Sequence, residues 1–140
     1  MAEWLREHDA KFWRTWEAMS QKHPGEPRKQ LQAAFTLLAK HVSDPGARGC
    51  PMANAAVEIT EKDHPARKVI EDHKTKLRAR LAELCTGTGA REPASLADEL
   101  FLLMEGAQVS TVLGVRIPGR NVARAADALI DARLGGRRIA

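Results

Sequence analysis

Several residue types are missing or rare in this sequence. Tyrosine is absent, aromatic residues make up only 4% of the chain, and the β-branched residues that favour strands are sparse. Alanine, leucine, arginine, lysine and glutamate dominate instead, and this composition favours an all-α fold. No apolar run approaches the roughly 18 residues of a membrane span, and no signal peptide opens the chain. We therefore expect a soluble, cytoplasmic protein with no membrane contact.

Cysteine is scarce as well. Cys50 and Cys85 are far apart in the sequence and form neither a CxxC pair nor a disulfide framework, so we expect reduced thiols. Inert thiols are the default interpretation. Thiol sensing is the alternative, because a helix N-terminus close to Cys50 could lower the pKa of that thiol.

Metal-binding patterns are also missing. Glu61 and His64 have the Glu-x-x-His spacing of helical di-iron sites, but such sites need a second copy on another helix, and the sequence has none. Pro65 places this copy at a helix start. We therefore predict no metal ligands and no cofactor.

The net charge of +4 raises the question of nucleic-acid binding. Residues 115–140 contain six arginines, Arg137 and Arg138 among them, against two aspartates, so this segment carries the whole excess. A DNA-binding domain usually concentrates its basic residues on a folded recognition surface. A charge spread along a last helix and a tail is weak evidence for DNA contact, and we predict no sequence-specific DNA binding by this chain alone.

Apolar periodicity and Pro/Gly breaks predict a single domain over residues 1–140, built of about six helices. The predicted helices cover residues 2–22, 27–42, 51–60 and 66–85, a segment beginning at Ala94 or Ser95, and residues 120–134. Asp63 is expected to cap the fourth helix, with Pro65 in its first turn. The third helix is too short to be stable alone, so longer helices must surround it.

The fifth predicted helix is apolar on every side, which indicates burial on every side. In a chain of this size, one side is expected to face a second subunit. Gly106 in the helix interior costs about 1 kcal/mol against alanine and so marks a close contact. We predict a homodimer through helices five and six, with its interface centred on Gly106, Val109, Ser110, Leu113, Val122, Ala126 and Leu129.

Polar residues recur on otherwise apolar helix faces. His73, between Ile70 and Leu77, is interpreted either as a hydrogen-bonded core histidine or as a polar contact inside a ligand cavity. A catalytic base is the least favoured interpretation, because no nucleophile or carboxylate is paired with it by spacing. The aromatic and methionine residues of these faces could be core or pocket wall. The candidate ligand-binding residues are Trp13, Trp16, Phe35, Met52, Asn54, His73, Phe101, Met104 and Gln108.

The segment Arg48-Gly49-Cys50-Pro51-x-x-Asn54-Ala55-Ala56-x-Glu58 resembles one subgroup of TetR-type transcriptional regulators. Further matching segments lie at residues 23–27, 63–67, 73–78, 97–100 and 104–107, so the resemblance covers nearly the whole chain. It implies a TetR C-terminal-domain-like helical bundle that binds ligand and dimerises. Members of that family begin with a helix-turn-helix domain, and no such pattern precedes the first helix here.

The function implied by this resemblance is sensing of a small, largely apolar effector by a homodimer. One alternative is an interaction module without the helix-turn-helix domain, which heterodimerises with full-length regulators. A small helical enzyme is the other alternative, but the sequence shows no paired acid and base and no activated nucleophile, so we predict no catalytic residues and no enzyme activity.

Overall fold

The structure of the protein, a computed structural model, describes residues 1–135. Six α-helices make up this part of the chain, and no strand occurs in it: α1 (Ala2–Gln21), α2 (Pro27–Ser43), α3 (Pro51–Glu58), α4 (Pro65–Gly87), α5 (Pro93–Val112) and α6 (Gly119–Leu134). The predicted all-α class is confirmed, and the helix ends lie within about two residues of the predicted ones. The predicted basic tail residues Arg137 and Arg138 lie outside the described residues.

The start of α4 differs from the prediction. His64, not Asp63, is the N-cap residue, and its Nδ1 atom accepts a hydrogen bond of 3.0 Å from the Ala66 N–H. Pro65 holds the first helical position, where its missing N–H costs nothing. The prediction of Asp63 was wrong because a histidine ring nitrogen can cap a helix as a carboxylate does, and single-residue propensity favours aspartate.

Two hydrophobic clusters hold the helices together. The larger one joins α1, α2, α4, α5 and α6, and its most deeply buried members are Leu31, Phe35, Leu81, Cys85, Leu96, Leu100 and Ile130. The smaller cluster fixes α3 against α1 and α4 and consists of Leu5, Cys50, Met52, Ala55, Ile59, Ala66 and Ile70. The short third helix is thus stabilised by tertiary packing, as its length requires.

Polar contacts also fasten α3 at both ends. Before the helix, Gly49 adopts a left-handed backbone with φ of +75°, and its N–H donates to Thr111 Oγ1 of α5 at 2.8 Å. Asn54 Nδ2 donates to the Arg48 carbonyl at 2.7 Å, which closes the loop. At the other end, Arg67 Nη1 donates to the carbonyls of Ala56 and Ile59. These contacts orient Cys50 and Pro51 at the edge of the helical bundle.

The start of α6 packs closely against the end of α2. A Cβ atom added to Gly119 would lie 2.2 Å from the Ala39 carbonyl oxygen and 2.4 Å from Ser43 Oγ. The Gly119 N–H donates to the same Ser43 hydroxyl at 3.2 Å. Only glycine fits at this position, because backbone and hydroxyl occupy the space of any side chain.

Within residues 1–135, none of the six helices combines the length and apolarity that crossing a bilayer requires.

Candidate functional site

A cavity of about 370 Å³ lies between α1, α2, α4 and α5, with the start of α3 at its edge. This volume falls at the lower end of the range of small-molecule sites, about 300–1,000 Å³. Its walls are mainly apolar and include Phe12, Trp16, Met19, Ala34, Leu37, Leu38, Leu77 and Met104. The polar side chains are contributed by four different helices: His8, Lys11, Thr15, His41, His73, Lys74, Glu105 and Gln108. This composition is typical of a pocket for a small, mostly apolar molecule.

The most buried polar group of the cavity is the imidazole of His73. It is 2% exposed, and its Nδ1 lies 2.7 Å from Asp9 Oδ1 on α1. The same carboxylate oxygen accepts a hydrogen bond of 2.9 Å from Trp13 Nε1. Phe12 packs against the imidazole edge-to-face, with ring centroids 4.8 Å apart. The α1 side chains thus hold the His73 ring in one orientation.

Protonation of the cavity histidines is disfavoured. Burial lowers the pKa of His73 below its ordinary value, and the hydrogen bond to Asp9 only partly opposes this effect. Burial also lowers the pKa of His8, and the nearby His73 lowers it further. Both rings are therefore neutral at pH 7. An ionised carboxylate is an acceptor only, so the single proton of neutral His73 lies on Nδ1 and Nε2 keeps its lone pair.

A second polar group joins α4 to α5 at the side of the cavity. Lys74 Nζ forms an ion pair with Glu105 Oε1 at 2.5 Å and also donates to Cys50 Sγ at 3.3 Å. Both charged side chains are about four-fifths buried, so the pair is shielded from solvent more than a surface ion pair. The pair connects the segment before α3 to the two long helices.

The two cysteines have different surroundings. Cys50 lines the cavity, whereas Cys85 is completely buried in the larger hydrophobic cluster. Burial raises the pKa of the Cys85 thiol to about 11, so this thiol stays protonated at neutral pH. Inert behaviour is therefore expected of Cys85 on physical grounds.

Four of the nine predicted ligand-binding residues line the cavity: Trp16, His73, Met104 and Gln108. The other five lie elsewhere. Phe35 and Met52 are buried in the larger and the smaller hydrophobic cluster, respectively, and Phe101 packs on the larger one. Trp13 supports the cavity indirectly through Asp9, while Asn54 closes the loop before α3.

Sequence reasoning missed most of the α1 wall of the cavity. This wall consists of His8, Lys11, Phe12, Thr15, Trp16 and Met19, which recur at intervals of three and four residues. Their spacing is that of one helix face, so periodicity was the available signal. Periodicity placed Phe12, Trp16 and Met19 on one face of the first helix, but of these only Trp16 was predicted to bind ligand, and the polar members His8, Lys11 and Thr15 were not predicted. Lys74 and Glu105 were missed since each resembles a solvated charge in the sequence.

A second depression, of about 470 Å³, lies between the start of α2 and the end of α4 and is lined mainly by charged and polar residues. It is a shallow surface groove, widely open to solvent, in which Gly87 packs against Pro27. Because it neither encloses a ligand nor presents an apolar wall, it is the weaker candidate for a small-molecule site.

The predicted dimer residues fall into two groups. On α5, Val109 and Leu113 are exposed, Leu102 and Val112 are exposed beside them, and nothing lies within 4 Å of a Cβ placed on Gly106. On α6, Val122 and Ala126 are buried inside the chain, at 4% and 1% exposure. Because Val122 and Ala126 pack against the larger cluster, little of their surface is left to contact a second subunit. Ser110 and Leu129 are half-buried.

The six helices and the mainly apolar cavity between four of them define a class of all-α domains. Residues 25–126 match the profile of the family described as tetracyclin repressor-like, C-terminal domain. The match covers more than half of the chain, and the protein therefore belongs to this family of TetR-type regulators.

Solved structures agree with this fold. A TetR-type transcriptional regulator from Streptomyces avermitilis superposes with a TM-score of 0.82 at 24% identity, covering 94% of this chain and 72% of that one. A TetR-family transcriptional regulator from Streptomyces coelicolor superposes with a TM-score of 0.80 at 20% identity, covering 95% of this chain and 68% of that one. A search of curated protein sequences gives no significant match. The structural similarities establish the fold, and the predicted resemblance to TetR-type regulators is confirmed by the family match.

Proposed function

We propose that this chain is the effector-sensing and dimerisation domain of a TetR-type transcriptional regulator and that it binds a small, largely apolar molecule. The observation that carries the proposal is the cavity of about 370 Å³ between α1, α2, α4 and α5, with its mainly apolar walls. Membership of the regulator family supports the same assignment. The chain contributes sensing and assembly, and we expect it not to bind DNA sequence-specifically by itself.

The exposed apolar surface of α5 supports a homodimer. Leu102, Val109 and Leu113 lie on one side of the helix with Gly106 between them, and no other part of residues 1–135 lies within 4 Å of a Cβ placed on Gly106. An apolar stripe with a glycine at its centre permits close approach of a second helix. We therefore centre the proposed interface on α5, and Ser110 and Leu129 lie at its edge. Each leucine buried in such an interface contributes about 1.5–3 kcal/mol.

The cavity assignment can be tested with a fluorescent apolar probe. N-phenyl-1-naphthylamine is weakly fluorescent in water and bright in apolar surroundings, so titration reports its entry into the cavity. Ala34 lines the cavity and is 5% exposed, and Ala34→Phe should place a benzyl group in the space that the probe needs. We expect saturable binding of one probe per chain and a loss of affinity of about tenfold or more in Ala34→Phe.

The matched control is Ala10→Phe, which adds the same group to the exposed side of α1. It should leave probe affinity unchanged, and circular dichroism should show both variants folded. Equal probe affinity in the wild type and folded Ala34→Phe would contradict the proposal, because the probe would then bind at another surface.

A further inference from the structure

Two hydrogen-bond acceptors on cavity-lining residues have no protein partner within residues 1–135. One is Nε2 of His73 on α4, because the hydrogen bond of this ring is made by Nδ1, and Nε2 keeps some access to solvent. The other is Oε1 of Gln108 on α5, a buried oxygen that receives no hydrogen bond within the described part of the chain. Both residues line the same cavity. A buried acceptor left unsatisfied costs about 1–3 kcal/mol, so Gln108 Oε1 marks a position where a ligand could supply a donor, and His73 Nε2 offers a second acceptor in the same cavity.

The acceptor role of His73 is fixed by the protein itself. Asp9 accepts from Nδ1 at 2.7 Å and is held in place by Trp13 Nε1 at 2.9 Å. A carboxylate cannot donate, so the proton of the neutral ring stays on Nδ1 and Nε2 can only accept. The burial that lowers the pKa of His73 keeps the ring in this neutral form at pH 7.

The cationic groups of the cavity give little reason to expect an anionic ligand. Lys74 is already neutralised by Glu105 at 2.5 Å. Lys11 and His41 are exposed at the edge of the cavity, where water and salt screen any charge, and burial lowers the pKa of His8, which disfavours its protonated form. A carboxylate ligand would moreover bring its own acceptors towards the acceptors of His73 and Gln108. The buried contact that remains unmade, at Gln108 Oε1, calls for a donor.

We propose that the effector is a neutral, mainly apolar or aromatic molecule with a hydroxyl or N–H group that donates to His73 Nε2 or Gln108 Oε1. This inference rests on the proposed function of the cavity and narrows it to a ligand class. The aromatic rings of Phe12 and Trp16 provide the apolar contacts, and the two acceptors select the donor. Because desolvated acceptors penalise an analogue that lacks the donor, selectivity comes from these two residues.

The test uses three naphthalene probes of similar size at pH 7: 2-naphthol, which has a neutral O–H donor, 2-methoxynaphthalene, which has only an acceptor, and the 2-naphthoate anion. Affinities are measured by calorimetry or by quenching of tryptophan fluorescence. We expect wild-type protein to bind 2-naphthol about tenfold more tightly than 2-methoxynaphthalene, a difference of about 1.4 kcal/mol. It should bind 2-naphthoate more weakly than 2-naphthol.

Variants then identify the acceptors. Gln108→Leu keeps the size and helix propensity of the side chain but removes the oxygen, and His73→Phe removes the ring nitrogen. In at least one of these variants, the affinity for 2-naphthol should become similar to that for 2-methoxynaphthalene. The control is Gln21→Leu, at the exposed end of α1, in which the tighter binding of 2-naphthol should persist. If His73→Phe does not fold, His73→Leu replaces it, because a preference that persists in Gln108→Leu leaves His73 Nε2 as the acceptor still to be removed.

The outcomes separate the two proposals. Equal affinity for 2-naphthol and 2-methoxynaphthalene, or tighter binding of 2-naphthoate, would overturn the donor inference while leaving a functional cavity. A preference for 2-naphthol that survives in both folded variants would also overturn it. Failure of all three probes to bind would overturn the proposed function and this inference together.

Discussion

Asp9 is the residue on which the polar side of the cavity depends. Its carboxylate accepts hydrogen bonds from His73 at 2.7 Å and from Trp13 at 2.9 Å, and so joins α1 to α4. Hydrogen bonds to a charged acceptor contribute about 1.5–3 kcal/mol, more than neutral ones. Asp9 therefore fixes both the orientation of the imidazole and the position of its proton.

The lowered pKa values of His73 and His8 predict a dependence of stability on pH. In the unfolded chain both residues take up protons near their ordinary pKa of 6.5, while in the folded chain they do so only at lower pH. The unfolded state thus binds more protons below about pH 6.5, and the free energy of unfolding should fall as the pH decreases through this window.

Urea unfolding at pH 7.5 and pH 5.5 checks this expectation. The loss of stability between the two pH values should be smaller in His73→Gln, whose amide can still donate to Asp9 but does not titrate. The control is His23→Gln, in the turn after α1 and outside the cavity. If the wild type and His73→Gln lose the same free energy of unfolding on acidification, His73 is not the titrating group.

The close contact of Gly119 with α2 leads to a prediction about stability. In Gly119→Ala the added methyl group would overlap the Ala39 carbonyl and Ser43 Oγ, so α6 must move away from α2. We expect a destabilisation of about 1–3 kcal/mol, the usual cost of overpacking. Arg120→Ala, at the exposed neighbouring position, should change the free energy of unfolding by no more than about 0.5 kcal/mol. Equal urea midpoints for Gly119→Ala and the wild type would contradict this prediction, because they would show that the helices accommodate the methyl group without a loss of stability.

At the scale of elements, α5 has two faces with different roles. Met104 and Gln108 face the cavity, while Leu102, Val109 and Leu113 are exposed on the other side. Glu105 lies between them and is paired with Lys74 of α4. A ligand that displaces the cavity side of α5 would therefore also move the surface that we propose for the dimer.

Gly106→Leu tests this proposed interface without disturbing the rest of the chain. Apart from the backbone of α5 itself, nothing within residues 1–135 lies within 4 Å of a Cβ at this position, so a side chain can be added there without a clash at Cβ in the monomer. Leucine should even stabilise the isolated helix by up to about 1 kcal/mol relative to glycine. In the dimer, however, it would separate the two α5 helices, and sedimentation velocity should show more monomer than in the wild type.

The control is Arg80→Leu, an exposed position on α4 away from the α5 stripe, which should leave the sedimentation coefficient unchanged. Dimers of Gly106→Leu as stable as wild-type dimers would place the interface elsewhere.

Sequence reasoning predicted the helices well because their signals are local. Prolines at residues 27, 51, 65 and 93 open four of the six helices, and apolar periodicity fixed the rest. Two local details were not predictable from propensity: the N-cap role of His64 and the left-handed backbone of Glu92 before α5, with φ of +48°. The latter conformation is uncommon for a glutamate.

The cavity was harder to predict than the helices, since a cavity is a property of the space between helices. Ala34 and Phe35 are neighbours and both are buried, yet Ala34 lines the cavity and Phe35 fills the core. Periodicity shows that both residues face inward, but it does not show where packing leaves a space. His73 and Gln108 were identified because a polar residue on an apolar face needs a partner wherever it lies.

At the scale of the whole molecule, the two hydrophobic clusters, the cavity and the α5 surface form one connected unit. The cavity lies at the junction of α1, α2, α4 and α5, and the segment before α3 is attached to α5 through Gly49 and Thr111. An effector can change the dimer only if it binds one arrangement of these helices more tightly than another. Occupancy of the cavity is therefore the central claim.

The four methionines permit a direct test of this claim on the unmodified protein. Met19 and Met104 line the cavity, whereas Met52 is buried in the smaller cluster and Met1 is exposed at the N-terminus. With the methionine methyl groups labelled with ¹³C, intermolecular NOEs to bound 2-naphthol locate the probe. We predict NOEs to the methyl groups of Met19 and Met104 and none to those of Met52 or Met1. NOEs confined to Met1 or Met52, or none to either cavity methionine in protein saturated with the probe, would contradict an effector site in this cavity.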